Sequence, residues 1–249
     1  MPSRVIIRAL FSELPDAACK ALREVNHRLG FTVDGERARG HENIRVELDA
    51  AACGARLLAL SEHPDIVVRE LAADALGAWG GEAARARLVA LTSDPVVAVR
   101  ASAVGALEYW PDDPEVFEVL QIAIDDSKWS VRLRAARAMA HVPGPAIERA
   151  LLAALLDPDP YVRSSVADAL AQRPPHDVLP HLRALFDHPA PHTFDAAFDV
   201  FGAIGTADDA AFLSRVGRFT NWSQPTQVKR WARAAAKQIR VRLESATGA

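Results

Sequence analysis

Apolar positions along this chain repeat in register, and a Val-Arg pair marks the register. It stands at Val68-Arg69, Val99-Arg100, Val131-Arg132 and Val162-Arg163, with the arginines 31, 32 and 31 residues apart. One further step of 31 reaches Thr193-Phe194, where the pair is lost, and Val228-Lys229 follows after a longer interval. Three residues beyond the anchors come Ala72, Ala103, Ala135, Val166, Ala197 and Ala232. Six beyond come Ala75, Ala106, Ala138, Ala169, Val200 and Ala235, and seven beyond come Leu76, Leu107, Met139, Leu170, Phe201 and Ala236. Those offsets trace one stripe of an α-helix. Small residues on the stripe let neighbouring helices approach closely, and the larger residue at the seventh position fills the layer between them. A second stripe lies upstream: Leu57/Leu60, Leu88/Leu91, Leu120/Ala123, Leu151/Ala154 and Leu182/Leu185. Each unit is predicted to be two antiparallel helices.

Turn chemistry separates the two helices of a unit. Asp94, Asp126 and Asp157 stand six residues before Arg100, Arg132 and Arg163, with His63 and His188 in the corresponding places. Pro64, Pro95, Pro158 and Pro189 follow, where proline ends one helix and sets the entry to the next. Between units, Trp110 to Pro114, Pro143-Gly144-Pro145 and Pro174 to Asp177 read as loops with capping residues. A lone hairpin of this length cannot bury both apolar faces, so stacking into a solenoid is the stable solution.

The pattern D-P-x-x-x-V-R followed by A-x-x-A-L, as in Asp94 to Arg100 and Asp157 to Arg163, resembles that of HEAT-repeat proteins. It is similar to the short bacterial class found in phycobilisome lyases, and it covers about residues 46–244. The resemblance implies an all-α, right-handed α-solenoid of about six HEAT-like hairpins. The expected organisation is an N-terminal helical cap with a polar loop over 1–45 and a solenoid over 46–244. Its units run 46–80, 81–111, 112–143, 144–174, 175–205 and 206–244, with a short tail over 245–249. Within the cap, Arg4 to Leu14 and Asp16 to Leu29 read as helices. The resemblance is specific for fold and open for function, because such repeats serve scaffolds, lyases, hydroxylases and DNA glycosylases alike.

One basic residue per unit on the same edge invites a phosphate-binding reading of Arg69, Arg100, Arg132 and Arg163. A turn Asp repeated beside them favours a structural one instead, in which each Arg meets the Asp of its own or an adjacent unit. The resemblance implies the same ladder, built from Arg69, Asp94, Arg100, Asp126, Arg132, Asp157 and Arg163.

Composition agrees with close-packed helices: 48 of 249 residues are Ala and aromatics make up only 6%. The apolar fraction of 50% excludes a disordered chain. A net charge of -3 conceals an uneven distribution: +1 over 1–48, -9 over 49–205 and +5 over 206–249. The acidic body would steer a partner with a basic surface. The basic end, with Lys229, Arg230, Arg233 and Lys237 among Phe219, Trp222 and Trp231, reads as the polar face of a terminal repeat; a nucleic acid is the weaker alternative.

Candidate chemistry is sparse. His176, His181, His188 and His192 lie close in sequence, but Pro189 and Pro191 interrupt the last pair, so they read as solvent-facing rather than as metal ligands. Cys19 and Cys53 fall in apolar helical patterns and read as buried thiols. Trp79, Trp110, Asp112 and Asp113 could mimic a base-excision site, yet both tryptophans fall ten residues after an anchor, in a packing column, and the acidic body opposes phosphate binding. Bulky Phe194, Phe198 and Phe201 in the fifth unit, with Phe186, predict either local repacking or an exposed apolar patch.

The expected function is therefore non-enzymatic: a scaffold or adaptor, cytoplasmic and needing no metal or cofactor and no membrane, that binds another protein on the concave face of its second helices. Contacts are expected near Glu70, Asp74, Glu108, Arg137 and Asp168. The enzymatic alternative is a DNA-repair glycosylase or a lyase-type modifier.

Overall fold

The computed structural model describes residues 20, 22–24, 50–186, 195–216 and 225–247. Of the predicted N-terminal cap, Lys20 and residues 22–24 are helical and Leu22 is buried; the rest of that expectation lies outside the described residues. The chain divides into two compact units, Met1–Ala138 and Met139–Ala249.

The first unit holds three hairpins. They are α1 (Ala50–Leu60) with α2 (Ile66–Trp79), α3 (Glu82–Leu91) with α4 (Val97–Ala106), and α5 (Pro114–Ala123) with α6 (Trp129–Met139); a 3₁₀ turn, Leu107–Tyr109, extends α4. The second unit holds three more: α7 (Pro145–Ala154) with α8 (Pro160–Ala171), α9 (Pro175–Leu185) with α10 (Asp195–Ile204), and α11 (Ala207–Val216) with α12 (Pro225–Thr247). No strand occurs among the described residues.

The local causes are those the turn residues imply. Asp65 caps α2 by accepting from the N–H groups of Val67 and Val68 at 2.8 and 3.2 Å. Asp113 and Asp159 cap α5 and α8 in the same way, each followed by proline in the first helical turn. Between α2 and α3 the chain reverses through Gly80 and Gly81 with φ of 76° and 92°, a region that suits glycine. Three boundaries differ from expectation: Pro114, Pro145 and Pro175, read as loop residues, each begin a helix, and Pro180 lies inside α9.

Every repeat-column residue from Ala72 to Ala236 at the third, sixth and seventh positions is buried, so each stripe is core. Second helices pack directly on second helices: α2 on α4, and α8 on α10. The approach is tight enough at Gly77 that an added Cβ would stand 2.7 Å from the Ala106 Cβ. In the second unit α12 closes the stack, lying against both α10 and α11.

The fifth hairpin settles how its bulky residues are used. Phe198 and Phe201 are buried, and Phe186 meets them edge-on or tilted at ring separations of 5.2 and 5.9 Å. Phe212 from α11 joins at 5.8 Å from Phe186 and 6.0 Å from Phe201. These rings form an aromatic core rather than an exposed patch, because α11 and α12 cover them; Phe194 lies outside the described residues.

Candidate functional site

The Val-Arg arginines first have to be separated from anything that binds. Arg69 donates from Nε and Nη2 to the Asp94 carboxylate at 3.1 and 3.3 Å, and Arg100 does the same to Asp126 at the same distances. Arg163 makes the equivalent fork onto Asp195 at 2.9 and 3.0 Å. The remaining Nη1 turns back to the chain's own turn: Arg69 to the carbonyls of His63 and Pro64, Arg100 to those of Asp94 and Pro95, Arg132 to that of Asp126, and Arg163 to those of Asp157 and Pro158. So each side chain grips its own turn, and Arg69, Arg100 and Arg163 also reach a carboxylate of the following hairpin. The sequence register pointed to position 188 as the acceptor column for Arg163; the structure uses Asp195, at the start of α10.

The turn acids do double duty. Asp94, Asp126 and Asp157 each accept the N–H of the residue two further on, at 2.8 Å. His63 takes that place in the first hairpin, its Nδ1 accepting from the Asp65 N–H at 3.0 Å. Burial pushes the Asp126 carboxyl up, but the Arg100 guanidinium and the Lys128 N–H more than offset it and hold the group below its ordinary range.

A second polar network, which the residue columns did not suggest, ties the first helices together. Arg85 reaches Asp113 at 3.2 Å and also engages Glu82 and Glu115; Arg87 donates to Ser61 Oγ at 2.8 Å. Arg183 meets the fully buried Asp209 at 2.6 Å. Asp113, considered above as a base-excision carboxylate, is thus spent on capping α5 and on Arg85. Trp79 packs over Gly54, and Trp110 stands edge-on to Tyr109 at 6.4 Å, both rings half-buried.

What remains is the outer face of the second helices. In the first unit, Asp74 on α2 faces Ser102 on α4, which hydrogen-bonds it, and Arg134 on α6. The Arg134 chain lies across Gly105, where a Cβ would stand 3.2 Å from its Cδ. Burial raises the Asp74 carboxyl to about 6, Arg134 and Ser102 pull it down, and Glu70 one turn earlier on α2 pushes it further up. Glu70 and Asp74 are therefore brought together; Glu108 is half-buried in the 3₁₀ turn and Arg137 is exposed in the last turn of α6. In the second unit, Asp168 on α8 is exposed, and with burial and Asp195 it raises the carboxyl of Asp199 on α10. Arg134, Ser102 and Asp199 were not among the expected contacts. A signal for Asp199 existed, since Asp74, Arg137, Asp168 and Asp199 all stand five residues after an anchor position.

On α12, Lys229, Arg230, Arg233 and Lys237 are exposed, opposite buried Val228, Ala232, Ala235, Ala236 and Ile239. The Trp231 ring lies 6.2 Å from that of Phe198 and so belongs to the packed side; Phe219 and Trp222 lie outside the described residues. Exposed His176 lies 3.6 Å from Asp177, and among the described residues no three metal-ligating side chains converge; His188 and His192 lie outside them. Cys53 is buried, and Cys19 lies outside the described residues. No helix among the described residues is long and apolar enough to cross a membrane.

The family profile described as HEAT repeats matches residues 55–140, 117–198 and 148–236. No curated protein matches the chain in sequence. Among solved structures it is similar to the complex of CpcE and CpcF of phycocyanin lyase from Nostoc sp. PCC7120. That likeness has 17% identity and a TM-score of 0.55, covering 94% of this chain and 95% of that one. It is also similar to a designed armadillo repeat protein in complex with the peptide (KR)4, at 17% identity and a TM-score of 0.53, covering 96% of this chain and all 100% of that one. Identities this low show a shared repeat fold.

Proposed function

This chain belongs to the HEAT-repeat family, and we propose that it acts as a non-enzymatic scaffold or adaptor holding a protein partner on the concave face of its second helices. The observation that carries the reading is the placement of Asp74. Its carboxyl sits half-buried between helices with Glu70 beside it, a cost in isolation that a partner's Lys or Arg would relieve. Exposed Arg137 on α6, with half-buried Glu108 beside α4, extends the polar surface a partner would meet in the same unit. The designed armadillo protein in the comparison holds a peptide of alternating Lys and Arg, and a basic extended segment is the ligand class an acidic helical face suits. The ladder arginines are not part of this surface, because their donors are committed to turns and to neighbouring carboxylates.

The peptide (KR)4 itself is the test probe. Labelled peptide should bind at about 0.05 M salt and weaken as salt rises, and the double change Glu70→Lys with Asp74→Lys should lower affinity about ten-fold. Absence of binding at low salt, or equal binding by the charge-reversed protein, overturns the reading. A labelled DNA duplex binding more tightly than the peptide would instead support the glycosylase alternative.

A further inference from the structure

Among the described residues, a large group of arginines is already engaged. Arg69, Arg85, Arg87, Arg100, Arg163, Arg173, Arg183 and Arg242 are each tied to a carboxylate, hydroxyl or carbonyl. On α12, Lys229, Arg230, Arg233, Lys237 and Arg240 are all exposed, and none forms an ion pair with a described residue. Lys229, Arg233, Lys237 and Arg240 follow one another at helical spacings of four, four and three residues, so they share a stripe roughly 16 Å long at 1.5 Å per residue. The one acid on the helix, Glu244, follows Arg240 four residues later, at the C-terminal end of the same stripe. Past Arg240, Val241 exposes apolar surface at 52%, on the side of the helix that carries Arg230.

Terminal capping needs only a polar face, and five like charges set against one acid on the helix exceed that need, since they repel one another. A duplex nucleic acid would use the cations but not Val241, and Trp231, the aromatic residue of this helix, is packed against Phe198 and cannot stack on bases. A protein surface uses both kinds of group. The chain itself carries an acidic surface in the same unit: Asp168 and Asp199 are both exposed, each five residues after an anchor position, on α8 and α10, which pack on one another.

We propose that the basic stripe of α12 docks on the Asp168–Asp199 face of a second copy of this chain. Donor and acceptor surfaces are different patches of the same compact unit, and a two-fold axis that sets each stripe on the other copy's acidic face makes the contact twice and closes the pair. Contact is electrostatic with a small apolar margin at Val241, and its charge pairs make it sensitive to salt. The proposal does not rest on the partner reading, whose test changes only Glu70 and Asp74 in the other unit.

Sedimentation equilibrium of the full chain tests it. A dimer is expected at about 0.05 M salt and a monomer at about 0.5 M. The triple change Lys229→Glu, Arg233→Glu and Lys237→Glu should weaken self-association at least about ten-fold at low salt, and so should Asp168→Lys with Asp199→Lys. All five side chains are exposed, and unchanged thermal melting of both variants confirms that they fold. Mixing the two variants should restore a dimer, because the reversed stripe then meets a reversed face. A wild-type protein that stays monomeric at low salt overturns the proposal, as does a dimer indifferent to the charge reversals. So does a mixture that fails to re-associate. Binding of a DNA duplex through the stripe without self-association would assign the surface to nucleic acid instead.

Discussion

The guanidinium of Arg163 forks onto the carboxylate of Asp195 at 2.9 and 3.0 Å, while its free Nη1 donates to the Asp157 carbonyl at 2.9 Å. One side chain thereby fixes the turn before α8 and the start of α10, two points 38 residues apart in sequence. Removing it leaves a buried carbonyl and a carboxylate without their donor. Arg163→Ala should cost about 2–4 kcal/mol in chemical denaturation. Lysine lacks the planar fork, so Arg163→Lys should recover little of that loss. An unchanged unfolding midpoint for either variant would show that the ladder is decorative.

Asp74 and Asp126 should respond to pH with opposite signs. The folded Asp74 carboxyl binds protons more tightly than the unfolded one, so its contribution is full in acid and is lost as pH rises from about 4 through about 6. Asp74→Asn should remove that slope, worth about 1–3 kcal/mol, from a plot of stability against pH. The folded Asp126 and Asp209 carboxyls are held low, so they stabilise above the ordinary carboxylate range and lose that contribution as pH falls below about 4. A wild-type stability curve without a falling limb between pH 4 and 6 would contradict the account of Asp74.

Two helical glycines separate close backbone approach from mere absence of a side chain. Alanine at position 77 would place its Cβ 2.7 Å from that of Ala106 and close to its backbone, which cannot yield without parting α2 from α4. Gly77→Ala should destabilise by about 1–3 kcal/mol despite the better helix propensity of alanine. At Gly105 the nearest atom is Cδ of Arg134, at 3.2 Å on a flexible side chain, so Gly105→Ala should be neutral or stabilising by up to about 1 kcal/mol. Equal melting shifts for the pair would refute the distinction.

The aromatic core of the second unit should behave as core. Phe198 is 2% exposed and contacts both Phe186 and Trp231, so Phe198→Ala should cost about 3–5 kcal/mol. Ile122 is 75% exposed, and Ile122→Ala should stay within about 0.5 kcal/mol of wild type. Dye binding that rises in the folded Phe198 variant would locate the damage in this layer.

Arg173 makes a less obvious clamp. It is buried at the end of α8 and donates to the carbonyls of Met139 and Val142, the segment leading into α7. Arg173→Met keeps the bulk and removes the donors; a loss of about 1–3 kcal/mol, seen in urea titration, is expected because two carbonyls lose their partner.

Helix class, repeat period and core were legible in the sequence, because a 31-residue register with small residues at fixed offsets has only one economical packing, and each offset is a local consequence of helix geometry. The arginine ladder was legible as an idea, since an Asp six residues before an Arg repeats visibly. Its actual pairing was not: whether Arg100 meets its own Asp94 or the Asp126 of the next turn depends on how successive hairpins superpose, and Arg163 chooses Asp195 outside the column. The second-helix face was half legible. The column holding Asp74 and Asp168 could be drawn, yet that Arg134 crosses Gly105 to reach Asp74 required the spacing between α2, α4 and α6. Likewise the five cations of α12 could be counted from the chain, but only packing shows that Trp231 is turned inward while they are left outward without acidic partners among the described residues. Periodicity determines which side chains are buried; which polar groups end up satisfied, and which are left to bind something else, is decided by distances between elements that no local pattern encodes.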